Sequence, residues 1–310
     1  MSQTPGPDAR AVDRWIRREL AAHPPRARSL IVTLWGDALA PHGGEVWLST
    51  LFALVAPFGH NERLVRTSVF RLARDGWLAA ETRGRRSRYR LTSDGAHRFA
   101  QAYRRVYTPP FARWDGRWDV IVVPADALGA SERRTLRDDL AWNGYATIAP
   151  NVHARPAAGG DARVDIGPKA RVLRFVARDL PGSTQQSLAA RAEDAWSLGT
   201  VAAAYRAFLA RFAAVAAAFA ARSALSPLQA FVVRTLLVHE YRRVRLHDPQ
   251  LPEALLRPDW PGARAYALCR DFYRAAAPLA ETHLASMVAL EGEALKPALP
   301  EFYTRFTDAR

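Results

Sequence analysis

Between Asn61 and Arg90 the chain carries nine arginines against Glu62, Asp75 and Glu81, a net +6 over thirty residues. A guanidinium is always charged and presents a planar fork of donors that fits a phosphate or the O6/N7 edge of guanine, so this concentration points to a polyanionic partner. The densest stretch, GRRSRYRLT from Gly84 to Thr92, sets Arg86, Arg88 and Arg90 in alternation with Ser87, Tyr89 and Leu91. On a strand that alternation puts the arginines on one face and Tyr89 with Leu91 on the other. Elsewhere the chemistry is sparser. Asp119, Asp126, Asp138, Asp139, Asp161 and Asp165 show no metal-ligand spacing, and His153 has no His or Cys neighbour. These carboxylates read as solvated surface and helix-face ion pairs.

The arginines need elements to hold them. After Asn61 as N-cap, ERLVRTSVFRLARDGW places Val65, Val69 and Leu72 on one side of a helix at spacings of four and three. Arg63, Thr67, Arg71 and Arg74 face the other way, with Arg66 on the flank. Two shorter helices precede it. SLIVTLWGDAL turns Leu30, Ile31, Leu34, Trp35 and Ala38 inward before Pro41 and Gly43-Gly44. VWLSTLFALVAPF turns Leu48, Leu51, Phe52 and Val55 inward before Pro57 and Gly59. Behind the third helix, GWLAAETRGRRSRYRLT reads as two strands joined at Gly84-Arg85, where glycine accepts positive φ.

Three helices followed by a β-hairpin is the order of a winged helix-turn-helix, whose third helix enters a major groove while the hairpin rides on the backbone. Arg63, Arg66 and Arg71 are then the candidates for guanine readout, and Thr67 and Ser68 for phosphate or thymine contacts. Arg83, Arg85, Arg86 and Arg88, with Tyr89 beside them, form the wing and suit phosphates or a narrow minor groove.

Composition sets the frame. At 310 residues the chain is long enough for two or three domains, and 49% apolar with 24% charged residues is the balance of a soluble globular protein. The longest apolar tract, Val201 to Ala221, is interrupted by Arg206 and Arg211 and reads as an amphipathic helix. The start, MSQTPGPDAR, has no basic segment leading into an apolar run, and Cys269 is the single cysteine, so the expected address is cytoplasmic, with no membrane partner. The net charge of +14 fits a phosphate-bearing partner. Only Lys169 and Lys296 are lysines, so part of that charge reflects a general preference for arginine.

The predicted organisation is α+β and multidomain: an extension over 1–27, the winged helix-turn-helix over 28–108, a central ferredoxin-like α/β domain over 109–184 and a mainly helical domain over 185–310. The central domain is read from RWDVIVVP as a strand, a helix capped at Ser131, and ATIAPNVHARP and ARVLRFVARD as strands. In the last domain Val201, Tyr205, Phe208, Phe212, Val215 and Phe219 form a seam suited to a core or a dimer contact. Ser226-Pro227-Leu228-Gln229 reads as a capping box opening a helix on which Leu228, Val232, Leu236, His239 and Arg243 share a face. A proline-rich loop around Trp260 follows.

Taken together, SLIVTLWGD, VRTSVFRLARDGWL, GRRSRYRLTSDG, WDGRWDVIVVP and above all LLVHEYRRVRLHDPQLPEALLRPDWPG resemble the PaaX family, repressors of phenylacetate catabolism. The resemblance implies a homodimeric repressor on an imperfectly palindromic duplex DNA operator, without catalytic residues, metal or cofactor. It also implies release by an acyl-CoA effector, phenylacetyl-CoA. His239, Arg242, Arg243, Asp248 and Trp260 match the C-terminal signature and are the candidate effector residues. Two alternatives stay open: a different aryl-CoA as effector, or a metal-dependent nuclease using central carboxylates such as Asp119 and Asp126. A DNA-packaging protein without a switch is a further rival.

Overall fold

The computed structural model describes residues 7–110, 114–157, 172–179, 188–220 and 225–307; Asp161, Asp165 and Lys169 lie outside them. The described chain is α+β and mostly helical, with two small antiparallel sheets. In order it runs α1 (Pro7–Ala22), α2 (Ala27–Leu34), β1 (Glu45–Trp47), α3 (Leu48–Val55), α4 (Glu62–Arg74), β2 (Leu78–Arg83), β3 (Arg86–Leu91) and α5 (Ser93–Tyr107). Next come β4 (Arg117–Val122), α6 (Ala130–Trp142), β5 (Ala146–Ala149), β6 (Val152–Pro156) and β7 (Leu173–Arg178). The helices α7 (Ala192–Ala195), α8 (Leu198–Ala220), α9 (Pro227–His247), α10 (Gly262–Ala289) and α11 (Pro300–Tyr303) complete it.

Two compact units are present, and neither is continuous in sequence. The first comprises Met1–Pro109, Phe208–Arg245 and Arg264–Arg310; the second comprises Pro110–Ala207 and Leu246–Ala263.

In the first unit, α2, α3 and α4 bury Leu30, Ile31, Leu51, Leu54, Val55, Val65 and Val69 completely. Removing these side chains from water is the main force holding the three helices together. The stretch read as the second helix divides: Val46 and Trp47 join Glu45 in the sheet, antiparallel to β3, and α3 starts at Leu48. Past α2 the chain continues as a π-turn over Trp35–Leu39, and at Gly36 a side-chain Cβ would lie 2.8 Å from the Phe99 ring. Glycine there lets α5 approach. The cap of α5 is Thr92, whose hydroxyl accepts from the Gly95 amide at 2.9 Å, rather than Ser93 or Asp94.

The centre of this unit is α9. From Gln229 to Tyr241 every side chain is buried, so the single-face pattern gives way to burial all round. Its capping box is as read: the Gln229 amide donates to Ser226 Oγ at 3.1 Å and the Ser226 amide to Gln229 Oε1 at 2.9 Å. Charge inside the core is compensated. Asp37 takes Arg234 at 3.1 Å, Arg305 at 3.0 Å and the Tyr107 hydroxyl at 2.6 Å, and Arg234 also reaches Glu281 at 2.7 Å. His42 completes the group, 2.8 Å from Glu281. The residues read as an extension belong to the unit too: α1 is helical, and Trp15 donates to the Arg211 carbonyl at 3.2 Å while Glu19 pairs with the Arg211 guanidinium at 2.9 Å.

The second unit is built on a four-stranded sheet of order β5-β6-β4-β7, antiparallel throughout. The segment read as one strand over 146–156 is a hairpin, because Asn151 takes φ of 60° and turns the chain between β5 and β6. The cap of α6 is Gly129, whose amide donates to Glu132 at 2.9 Å, two residues earlier than Ser131. Trp118 and Trp196 stack at 6.0 Å in its core. Within this unit the Asp248 carboxylate accepts the Tyr205 hydroxyl at 2.6 Å and the Gln250 amide at 2.7 Å, and Trp260 meets the Tyr205 ring edge-on. The proline-rich loop is thereby pinned from inside.

Candidate nucleic-acid interface

Asn61 sets the start of α4: its side chain accepts from the Leu64 amide at 2.9 Å. The turn before it is closed by Gly59 at φ 83°, a conformation that favours glycine. With Val65, Ser68, Val69 and Leu72 buried, the opposite face presents Arg63, Arg66, Thr67, Phe70, Arg71 and Arg74 to solvent. Thr67 donates to the Arg63 carbonyl at 2.9 Å and stays exposed. Ser68 is turned inward, 5% exposed, donating to the Leu64 carbonyl at 2.8 Å. It therefore supports the helix rather than the surface. Arg66 lies over the Phe52 ring at 5.3 Å, which limits its reach, and Arg74 pairs with Asp75 at 3.5 Å.

The hairpin is as tight as the sequence implies. Arg83 faces Arg86 across a two-residue turn, with Gly84 at φ 61° and Arg85 exposed at the tip. Arg83 is held by Glu81 at 2.8 Å. Tyr89 is half-buried between Val46 and Ala80 on the neighbouring strands and is a sheet residue more than a contact residue.

Arg86 and Arg88 have partners that no local pattern announces. Arg86 pairs with Glu291 and lies 4.2 Å from the centre of the Trp47 ring. Arg88 pairs with Glu45 at 3.0 Å and with Glu293 at 3.2 Å. The two carboxylates from beyond α10 are themselves fixed: Ser49 donates to Glu291 at 2.5 Å, and Trp47 Nε1 to Glu293 at 2.9 Å. Charge-assisted bonds of this type are the ones a phosphate also makes to arginine.

Two family models match separate segments of the chain. Residues 26–95 match the family model described as PaaX-like protein, and residues 196–286 match the PaaX-like protein C-terminal domain. Over 274 residues the chain is 35% identical to the transcriptional repressor PaaX of Escherichia coli K12, covering 87% of this chain and 86% of that one. The chain belongs to the PaaX family.

Among solved structures, the chain is similar to the uncharacterized protein Rv0674 from Mycobacterium tuberculosis, at 28% identity and a TM-score of 0.51 over 89% of this chain and 98% of that one. As a PaaX-family regulator, this chain carries all of the candidate DNA-contacting residues in the first matched segment and all of the candidate effector residues in the second. The latter divide between the units. His239, Arg242 and Arg243 lie in the first, Asp248 and Trp260 in the second.

Each of the five has a structural partner. His239 is buried with its Nδ1 2.9 Å from the Thr33 hydroxyl, which itself donates to the Ser29 carbonyl at 3.0 Å. The imidazole must then donate through Nδ1, in its neutral form. Burial outweighs the nearby Glu240 and lowers its pKa to about 4. Arg242 donates to the Ser29 hydroxyl at 3.1 Å, and burial lowers its pKa. Arg243 pairs with Glu240 at 3.3 Å near the surface. A cavity of about 250 Å³ in the second unit is lined by Val123, Arg133, Leu136, Arg137, Thr147, Pro150, Asn151 and His153, none of the five among them.

The carboxylate singled out for nuclease chemistry is also engaged. Asp119, 4% exposed, accepts from Tyr145 at 2.6 Å and from Nε and Nη2 of Arg174 at 2.8 and 2.7 Å, with Arg155 at 3.3 Å. Burial raises its pKa, but the bonds from Arg174 and Tyr145 outweigh burial and hold it below the ordinary carboxylate range. Among the described residues no three His, Cys, Asp or Glu side chains converge as a metal set.

Proposed function

We propose that this chain is a cytoplasmic, homodimeric transcriptional repressor of phenylacetate catabolic genes. Its segment 28–108 acts as a winged helix-turn-helix, with α4 in the major groove and the β2–β3 hairpin as the wing. The observation that carries this reading is the solvent-facing row Arg63, Arg66, Thr67 and Arg71 on a capped helix, followed at once by an arginine-rich two-residue hairpin. Arg63 and Arg71 are the base-reading candidates least encumbered by other contacts, with Arg66 on the flank. Arg83, Arg85, Arg86 and Arg88 serve the backbone. For Arg86 and Arg88 this means exchanging the carboxylates of Glu291 and Glu293 for phosphates.

The central segment 109–184 fits a ferredoxin-like domain. Numbered in chain order its strands lie 4-1-3-2 from β7 to β5, with α6 as the crossover between the first two. The engaged state of Asp119 supports a scaffold role for this domain over a nuclease.

The effector in this reading is phenylacetyl-CoA or a related aryl-CoA, whose phosphates suit arginine and whose ring suits an apolar pocket. Release requires that it bind the DNA-free arrangement better; a hundredfold preference corresponds to about 2.7 kcal/mol of coupling. The test is fluorescence anisotropy on a duplex from upstream of phenylacetate catabolic genes at fixed salt, titrating phenylacetyl-CoA against free CoA and phenylacetate. Selective release by the thioester is expected. Tight binding indifferent to all three overturns the effector, and binding without sequence preference overturns the repressor.

A further inference from the structure

Phe70 is 64% exposed although it is one of the largest apolar side chains of α4, and it sits amid cations rather than at the edge of the core. At about 100° per residue, Arg63, Arg66, Thr67 and Arg74 all fall within about 60° of it on the helix surface. The ring therefore occupies the middle of the exposed sector, and Leu64, 44% exposed, lies to one side. A lone exposed apolar side chain is common on a protein surface, but this ring stands at the centre of a cationic face, so a partner drawn to that charge covers the ring as well. The surrounding charge states the partner's sign. Among anionic polymers, duplex DNA offers a single apolar group at groove level, the 5-methyl of thymine.

Resting on the reading of α4 as the groove helix, we propose that Phe70 is a specificity-determining residue that packs against a thymine 5-methyl group in the major groove. The arginines around it supply affinity and guanine readout, and Phe70 supplies discrimination in favour of thymine at one position of each half-site.

The test uses the full chain and a duplex that it selects from a random library. Each thymine is replaced in turn by deoxyuridine, which removes only the methyl, and affinities are measured for wild type and Phe70→Ala. The expected result is a loss of about fourfold for wild type at one thymine per half-site, the worth of one buried methyl group, and no loss for Phe70→Ala at that position. Arg71→Ala keeps the methyl sensitivity while weakening binding. Wild type indifferent to every methyl, or Phe70→Ala retaining the same sensitivity, overturns the proposal. So does a change of oligomeric state in Phe70→Ala by analytical ultracentrifugation, which assigns the ring to a contact between copies. If wild type selects no sequence at all, the groove-helix reading itself falls, an outcome distinct from the previous ones.

Discussion

Arg88 and Glu293 meet fork to fork: Nη1 donates to Oε1 at 3.2 Å and Nη2 to Oε2 at 3.3 Å, between residues 205 apart in sequence. The hairpin that local sequence marks as a phosphate contact is thus already gripping carboxylates. In the proposed reading Glu291 and Glu293 compete with the DNA backbone, and removing their charge favours DNA. Glu291→Gln with Glu293→Gln is expected to tighten binding to all duplexes alike and to steepen the salt dependence by about one to two units, read from anisotropy across a salt series. Unchanged affinity and slope show that Arg86 and Arg88 stay on the protein.

Arg85 stands at the tip of the turn, where a backbone contact is sequence-blind. Its change to Ala is expected to weaken selected and random duplexes by the same factor and to lower the salt slope by about one unit. A slope that does not move removes the hairpin tip from the interface.

Arg71 is different in kind, because a bidentate pair to guanine carries sequence information. Arg71→Ala is expected to cost about 1–3 kcal/mol on the selected duplex and to relax preference at one base pair, measured by repeating the selection with the variant. Uniform weakening places Arg71 on phosphate.

His239 gives the fold a pH dependence. It is neutral and buried in the native chain, with a pKa near 4 against an ordinary 6.5, so the unfolded chain takes up its proton first as pH falls. Its share of stability is whole above pH 6.5 and is lost between 6.5 and about 4, to a total of about 3 kcal/mol. Urea midpoints measured from pH 7 to 4.5 are expected to fall across this window, and to fall less for His239→Gln. Equal slopes for the two proteins locate the acid sensitivity elsewhere.

Arg234 has no exposed side-chain surface and neutralises Asp37 and Glu281 together. Arg234→Met leaves Arg305 as the one guanidinium against Asp37 and Glu281, so a buried carboxylate loses its cation partner, and is expected to cost about 3–5 kcal/mol in chemical denaturation. A loss below about 1 kcal/mol shows that water reaches the cluster.

Much of the segment 28–108 was legible because its signals are local. The Asn61 cap, the Val65–Val69–Leu72 stripe and the Gly84 turn are each decided by residues a few positions apart, and the structure has them as read. Boundaries failed where a neighbour in space decided them. Glu45–Trp47 became a strand because β3 lies alongside, and 146–156 bent at Asn151 because a left-handed residue sits there. The α9 helix looked one-faced, since Arg234, Thr235 and Glu240 lie off the face that carries Leu228, Val232, Leu236 and His239; Asp37 and Glu281 pair with the buried Arg234, and Arg211 pairs with Glu240. Phe70 lies outside the Val65–Val69–Leu72 stripe, and its exposure emerges only from the fold. For Glu291 and Glu293 no periodicity or motif exists, and only folding brings them to the arginines.

The Asp37 cluster draws its cations from positions 234 and 305, the second 268 residues downstream. During synthesis the amino-terminal helices leave the ribosome long before either arrives, with a carboxylate waiting in what will become a closed interior. Contacts so distant in sequence form late. A fragment cut after the hairpin would keep every arginine of the interface and yet lack the counterions that let its own core close, so the first part of this protein to be made is among the last to be finished.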